Sequence, residues 1–224
     1  MDARRYLGGS NCVESPDLSA PQYELIFREE TMNLYFRLLW MLLRLRFLPE
    51  AAGLTDLFRR PFRVLPSDCD FNLHLTNGRY FSLLDVARIE QLARLKLLGK
   101  LLRRRWLPVL NATEITFIRP LAPLRKFDIT TRIVTWDEKY FYLEQHFETP
   151  GTLHAVSLAR AAFLHRGELV PPATVAALAG HEGEAPPCSA IINGWQGLLG
   201  DKKDHYSTAC PLPSHDRGGD VQQG

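Results

Sequence analysis

Three side chains that can carry out proton or acyl chemistry alternate within one short segment: Asp70, Asn72 and His74. Alternate residues of an extended segment share one side, so a carboxylate, an amide and an imidazole can converge there. Such a carboxylate can attack an acyl carbonyl or activate a water molecule, while His74 orients or donates a proton. Ordinary turn and helix-cap chemistry is the alternative interpretation of the same residues. Their spacing alone leaves both interpretations open.

A long helix is predicted directly after this segment. Apolar residues recur at helical spacing from Gly78 to about Leu98, and Thr76 or Asn77 is a suitable N-cap. The first turn of a helix presents unpaired N–H groups and a positive partial charge. We therefore expect the backbone amides near Asn77–Arg79 to be able to hold a developing oxyanion.

Strand patterns surround the predicted helix. A short apolar alternation at 61–66 precedes it, and strand-like segments follow at 112–119, 127–135, 140–149 and 152–165. Strands joined by short turns pair antiparallel, and the helix needs a sheet to cover its apolar face. The sequence therefore predicts an α+β domain in which one long helix packs on an antiparallel sheet.

Composition excludes several other classes of protein. The 224 residues are 46% apolar and 23% charged, which is typical of a globular domain, and the net charge of +2 gives no reason to expect a nucleic-acid partner. The four cysteines form no CxxC pair, so neither a metal site nor a disulfide framework is predicted. Together with the absence of a secretory signal pattern, this predicts a reducing, cytoplasmic location. Cys69 is interpreted as a partly buried thiol and not as the nucleophile.

Three regions are predicted along the chain. Residues 1–31 are expected to be a loosely ordered leader, 32–175 the folded domain with an N-terminal amphipathic helix, and 176–224 a largely disordered polar tail. The apolar stretch 32–48 is interrupted by arginines and is too short to span a bilayer. It could form an interfacial helix with peripheral membrane contact, or pack on the protein itself or a second subunit.

Two segments resemble a known family. The sequence VLPSDCDFNLHLTNGRY, from Val64 to Tyr80, resembles the entry motif of hotdog-fold acyl thioesterases of the 4-hydroxybenzoyl-CoA and thioesterase-superfamily-member-six type. The sequence WDEKYFYLE, from Trp136 to Glu144, resembles the second characteristic hairpin of these enzymes. The resemblance extends from about Met32 to about Pro171, and the two motifs together make it specific.

The resemblance implies a fold, an activity and a site. The fold would be a hotdog, with a long central helix wrapped by a curved antiparallel sheet of about five strands. The activity would be hydrolysis of an acyl-CoA or acyl-carrier-protein thioester, without a metal or organic cofactor, in a homodimer or homotetramer with sites at the subunit interface. Asp70 occupies the position of the catalytic carboxylate, and Asn72 and His74 occupy those of its assisting residues.

Further residues are expected to contact the substrate. Arg suits bidentate contacts with phosphate, so a CoA phosphate site is considered at Arg103, Arg104 and Arg105, with a solvated helix end as the alternative. For Arg88 the alternative is an ion pair with Asp85, three residues before it on the helix. The candidate substrate-binding residues are Asn77, Gly78, Arg79, Tyr80 and Arg88.

Two other functions remain possible at this stage. A hotdog dehydratase acting on a 3-hydroxyacyl thioester is ranked lower, because the polar cluster precedes the helix and is not at a dehydratase-type position. A catalytically silent protein that binds acyl thioesters is the other alternative.

Overall fold

The computed structural model of this chain describes residues 53–209 together with Leu39 and Leu43, which are helical and exposed. The predicted leader 1–31, the rest of the predicted interfacial helix 32–48 and the end of the chain from residue 210 lie outside the described residues. Among the helices of the described part, none combines the length and the apolar character needed to cross a bilayer.

One antiparallel sheet forms the body of the domain. Its strands follow the spatial order β1-β3-β4-β5-β2, and a short β6 pairs with β5. Consecutive strands β3, β4 and β5 are joined by short turns, whereas β2 crosses over to the far side of β5. The strands are β1 (Phe58–Arg63), β2 (Trp106–Phe117), β3 (Lys126–Trp136), β4 (Phe141–Thr149), β5 (Thr152–His165) and β6 (Glu168–Val170).

Within residues 53–209, four α-helices accompany the sheet. Helix α1 is the longer of the two α-helices between β1 and β2. It buries Leu83, Leu84 and Ala87 and contacts β3. This helix and the sheet confirm the predicted α+β arrangement of one long helix on an antiparallel sheet. The helices are α1 (Asn77–Arg94), α2 (Leu97–Arg104), α3 (Pro172–Leu178) and α4 (Ala190–Ala209).

The long helix ends earlier than its pattern predicts. The chain turns at Lys96, which has a left-handed backbone with φ of 54°, and a new helix contains Gly99. Leu95 and Leu97 on either side of this turn are both buried in the same apolar cluster. The break therefore falls at a position where both flanking leucines are buried.

Strand β2 also begins earlier than expected and includes Pro108. A proline has no N–H to donate, so it is tolerated in a strand only where no ladder hydrogen bond is required. Because β2 is the last strand of the order and pairs only with β5 among the described strands, one of its sides has no ladder to disrupt.

The expectation of a largely disordered tail at 176–224 is wrong for residues 190–209. Helix α4 places Ile192 and Trp195 against Tyr142 and Leu158 on the sheet face opposite α1. These two anchors, three residues apart on one helix face, bury almost completely, at 1% and 7% exposure. The polar, glycine-containing composition around them conceals this short apolar contact from a composition-based prediction.

Candidate active site

The polar segment between β1 and α1 folds as a tight closed loop. The Asp70 N–H donates to the His74 carbonyl at 2.9 Å, and the Leu73 N–H donates to the Asp70 carbonyl at 3.0 Å. Cys69 and Leu75 form a β-bridge that closes the loop. Leu73 has a positive φ of 57°, an uncommon conformation for a side chain of this type. The loop therefore has a defined shape that presents the Asp70 side chain.

The Asp70 carboxylate organises this loop with one of its oxygens. Oδ1 accepts the N–H of Asn72 at 2.9 Å and the N–H of His74 at 3.3 Å. Within the described part of the chain, Oδ2 has no hydrogen-bond partner, and the residue is exposed. The turn-forming role and the chemical role are thus compatible, because they use different oxygens of the same carboxylate.

A cavity of about 290 Å³ opens beside the loop. It brings together four of the predicted site residues, and the segment that follows β2 forms its other wall. Asn72, Gly78 and Arg79 are not among the residues that line it. The lining residues are Asp70, His74, Leu75, Asn77, Tyr80, Phe117, Ile118, Arg119 and Pro120.

The start of α1 has free backbone donors, and its first residue, Asn77, lines this cavity. The N–H groups of Arg79 and Tyr80 donate to the Thr76 carbonyl at 3.0 and 3.4 Å. Within residues 53–209, no partner exists for the N–H groups of Asn77 and Gly78. Two unpaired amides at a positive helix end are the type of group that stabilises an oxyanion.

Arg79 stabilises the loop through a buried ion pair with Asp68. Its Nε lies 3.3 Å from Oδ1 of Asp68, and the two side chains are 9% and 0% exposed. Asp68 Oδ2 also accepts the N–H of Leu65 at 3.0 Å. The guanidinium therefore joins the first turn of α1 to the beginning of the loop, and its side chain does not reach the cavity.

Tyr80 forms an aromatic wall of the cavity. Its ring packs edge-on against Phe117, with 4.9 Å between the ring centroids, and lies tilted against Phe147 at 4.7 Å. Burial raises the pKa of the Tyr80 phenol to about 12, and a backbone hydrogen bond from Leu121 opposes this shift. The phenol stays protonated throughout the neutral range, so Tyr80 contributes shape and a hydroxyl group to the cavity but no charge.

Cys69 is unsuited to nucleophilic attack. Burial, and then the negative charges of Asp68 and Asp70, raise the pKa of its thiol. The thiolate, which is the reactive form, is therefore disfavoured at neutral pH. In addition, no three His, Cys, Asp or Glu side chains in the described ranges are grouped so that they could hold a metal ion.

Arg88 lies on a different part of α1 from the Asp70 cavity. Its Nη1 contacts Asp85 Oδ1 at 2.6 Å, and its Nε donates to Gln145 Oε1 at 2.7 Å. Its Nη2 is buried without a partner. Arg88 borders a second cavity of about 80 Å³, whose other walls include Leu92, Phe141 and several further apolar side chains.

The arginines at 103–105 form an exposed end of α2. The Arg104 guanidinium lies 5.7 Å from the Trp106 ring centroid. None of the three lines a cavity described above. Exposed guanidinium groups fit a solvated helix end and a phosphate site alike, so the CoA phosphate site at these arginines stays a prediction.

Sequence reasoning missed the second wall of the cavity, formed by Phe117–Pro120. This segment reaches the loop because the Leu75 N–H donates to the Leu121 carbonyl at 3.0 Å. The sequence shows only that a strand ends near Pro120, and nothing local links that end to a loop more than 40 residues earlier.

Comparison with known proteins identifies relatives of this chain. A family profile described as the thioesterase-like superfamily matches residues 64–178 of the 224. Protein THEM6 of Danio rerio is 36% identical over 141 residues, which cover 61% of this chain and 68% of that protein. Probable thioesterase YBR096W of Saccharomyces cerevisiae is 32% identical over 84 residues, 37% of this chain and 36% of that protein. The chain thus spans about two thirds of the first relative and about a third of the second.

Solved structures share the fold at low sequence identity. The protein SAV2348 of Staphylococcus aureus, determined in complex with CoA, superposes with a TM-score of 0.51 at 16% identity, covering 62% of this chain and 92% of that one. A Lactobacillus plantarum protein provisionally assigned as an oleoyl thioesterase superposes with a TM-score of 0.53 at 16% identity, covering 60% and 55%. The α+β hotdog fold implied by the sequence motifs is therefore confirmed. The match to the family profile and the relationship to the zebrafish protein show that this chain belongs to the thioesterase-like superfamily.

Proposed function

We propose that this protein hydrolyses an acyl-CoA thioester to a free carboxylic acid and coenzyme A. The observation that carries the proposal is the unpaired Oδ2 of Asp70, which belongs to a residue lining the same cavity as the helix start at Asn77. Membership of the thioesterase-like superfamily favours hydrolysis over dehydration and over silent binding of thioesters.

The proposed chemistry assigns one role to each group. Asp70 either removes a proton from a water molecule that attacks the acyl carbonyl, or attacks that carbonyl itself; in the second case water then hydrolyses the acyl-aspartyl anhydride to release the free acid and restore Asp70. The amides of Asn77 and Gly78 hold the carbonyl oxygen as it becomes negative. The carbon–sulfur bond then breaks, and the departing thiolate takes up a proton. We assign the donation of this proton to the exposed imidazole of His74, which belongs to the same loop as Asp70. Asn72 stabilises the loop through its backbone N–H.

The acyl group needs an apolar space. Tyr80 and Phe117 offer an aromatic surface at the reaction site. The cavity of about 80 Å³ near Leu92 and Phe141 offers a further, almost entirely apolar volume along α1. We assign the distal end of the acyl group to this second cavity. The structural relative from Staphylococcus aureus, which was determined with CoA, supports CoA as the carrier to test first.

A homodimer that joins at β2 fits the proposed site. The outer edge of β2 has no partner strand among the described residues, although the strand is twelve residues long. Leu107, Leu110 and Phe117 are exposed along it. Long unprotected edges with apolar side chains are surfaces at which chains pair. A partner strand there would also cover the exposed cavity at Asp70.

The experiment is a thiol-release screen with the full chain and a series of saturated and aromatic acyl-CoAs. We expect release of free CoA with at least one member of the series. A parallel assay follows loss of water from 3-hydroxyacyl-CoA. Dehydration without thiol release would replace hydrolysis by the dehydratase function, and binding without turnover of any member would replace it by the silent binding function.

A further inference from the structure

A large groove lies on the sheet face opposite α1, where α4 passes over β5 and β2. Its volume is about 760 Å³. Arg160 on β5 and Lys202 and Lys203 on α4 line it, and none of the described lining residues is acidic. Tyr140 and Tyr206 provide two aromatic rings in the same groove. The groove therefore combines positive charge with aromatic surface.

The guanidinium of Arg160, on β5, is held in a fixed position. Arg160 Nε donates to Asn111 Oδ1 at 2.7 Å, and its guanidinium carbon lies 4.6 Å from the Tyr140 ring centroid. For its two terminal NH2 groups, no hydrogen-bond partner is found in the described part of the chain. A guanidinium that is oriented in advance and retains unused donors is suited to bind phosphate oxygens in a bidentate manner.

Helix α4 gives the groove its other wall. Trp195 and Ile192 anchor this helix on Tyr142 and Leu158, so Lys202 and Lys203 in the same helix are held above the sheet. The family profile ends at residue 178, before α4 begins at Ala190. The groove is therefore built partly from an element outside the shared family domain.

The groove and the catalytic cavity lie along one strand. Ala112 lines the groove, and Ile118, six residues further along the chain, lines the catalytic cavity. Strand β2 ends at Phe117, between these two residues, and six residues of extended chain span about 20 Å at 3.3 Å per residue. A ligand of CoA type has its anionic nucleotide and its thioester at opposite ends of an extended pantetheine arm, and could occupy both places.

We propose that this groove binds the 3′-phosphorylated ADP moiety of the acyl-CoA substrate. The three cations contact its phosphate groups, and the tyrosines contact the adenine ring. The inference rests on the proposed thioesterase function. It extends that function, because it places the nucleotide part of CoA between α4 and β5 and not at Arg103, Arg104 and Arg105.

The test compares two substrates that share an acyl group and a pantetheine arm, acyl-CoA and acyl-pantetheine, which lacks the nucleotide. The variant Lys202→Glu/Lys203→Glu should raise KM for acyl-CoA by about tenfold or more, because two charge-assisted contacts become repulsive. Its kcat/KM for acyl-pantetheine should equal that of the wild type. The control Arg125→Glu/Lys126→Glu makes the same charge change at two exposed residues away from the groove and should leave both substrates unaffected.

Other outcomes overturn the inference. An unchanged KM for acyl-CoA, or an equal loss with both substrates, would contradict it. A loss restricted to acyl-carrier-protein substrate would assign the groove to a protein carrier instead. Calorimetric titration with adenosine 3′,5′-bisphosphate gives a readout that needs no turnover. If neither thioester is hydrolysed, the proposed function fails. Binding of this nucleotide by the wild type and not by the lysine variant would still show that the groove is a nucleotide site.

Discussion

The carboxylate of Asp70 uses its two oxygens differently. Oδ1 accepts two backbone N–H groups of its own loop, while Oδ2 has no partner within the described residues. Because the loop depends on hydrogen-bond acceptance by Oδ1, an amide at this position can preserve the loop while removing the negative charge. This property separates the structural role from the chemical role in a single substitution.

Cys69, the neighbour of Asp70, provides a residue-scale prediction. Its thiol has a raised pKa because of burial and two adjacent carboxylates, so it should remain protonated and unreactive at neutral pH. We expect Cys69→Ser to keep kcat/KM for acyl-CoA within about twofold of the wild type. Thiol release measured side by side for the two proteins checks this. A loss of two orders of magnitude or more would instead make Cys69 the nucleophile.

At the scale of elements, the junction between the loop and α1 depends on the Asp68–Arg79 ion pair. Both side chains are buried, at 0% and 9% exposure. Removing one partner of a buried pair leaves the other charge uncompensated, which is far more costly than losing a surface pair. The pair holds the loop and the helix start in one arrangement, so both stability and catalysis should depend on it.

Arg79→Leu should lower the free energy of unfolding by about 3–5 kcal/mol. It should also reduce kcat, since the amides of α1 and the Asp70 loop are no longer held together. Urea unfolding and steady-state kinetics measure the two effects. The expectation that Arg79 binds substrate makes the opposite prediction, namely a raised KM with unchanged stability.

Helix α4 allows a second element-scale prediction. Trp195 is 7% exposed and packs edge-on against Tyr142 at 6.5 Å between ring centroids. Trp195→Ala should therefore reduce the free energy of unfolding by about 3–5 kcal/mol, as is usual for a buried tryptophan. Trp195→Phe, which retains most of the apolar contact, is the matched control and should lose much less. Equal stability of all three proteins would mean that α4 is not docked.

Elements with a strong periodic pattern were predictable, and those that depend on tertiary contacts were not. The predicted strand 152–165 coincides with β5, and α1 begins one residue before its predicted start. By contrast, α4 depends on two anchors in a polar sequence, and β6 has only three residues. The same holds for the candidate site. Local spacing predicted the Asp70 loop, but it did not predict the cavity wall from Phe117 to Pro120, because that segment is brought to the loop by a hydrogen bond between residues far apart in the sequence.

At the scale of the whole molecule, the free edge of β2 is the main feature that a single chain leaves unexplained. The strand pairs with β5 on one side and has no described partner on the other. Its exposed leucines and the open cavity at Asp70 are the two observations behind the proposed homodimer. A cytoplasmic location and membrane contact through residues 32–48 stay predictions from the sequence.

Leu107→Glu/Leu110→Glu should convert a dimer to a monomer. Two carboxylates opposite the same two on an antiparallel partner would repel, and edge charges block strand pairing. Analytical ultracentrifugation of the wild type and the variant measures the change. We expect thiol release to fall together with dimer formation. A monomeric wild type, or a variant that stays dimeric, would contradict pairing at this edge.

The catalytic role of Asp70 is tested most directly by the rate at which Asp70→Asn releases thiol from acyl-CoA, with Asp56→Asn as a matched control at an exposed residue. The asparagine Oδ1 can still accept both loop N–H groups, so circular dichroism and the melting temperature should stay unchanged. We expect kcat/KM to fall by at least about 100-fold in Asp70→Asn and to stay at the wild-type value in Asp56→Asn. A folded Asp70→Asn protein that releases thiol at the wild-type rate would contradict the assignment of Asp70 as the catalytic carboxylate.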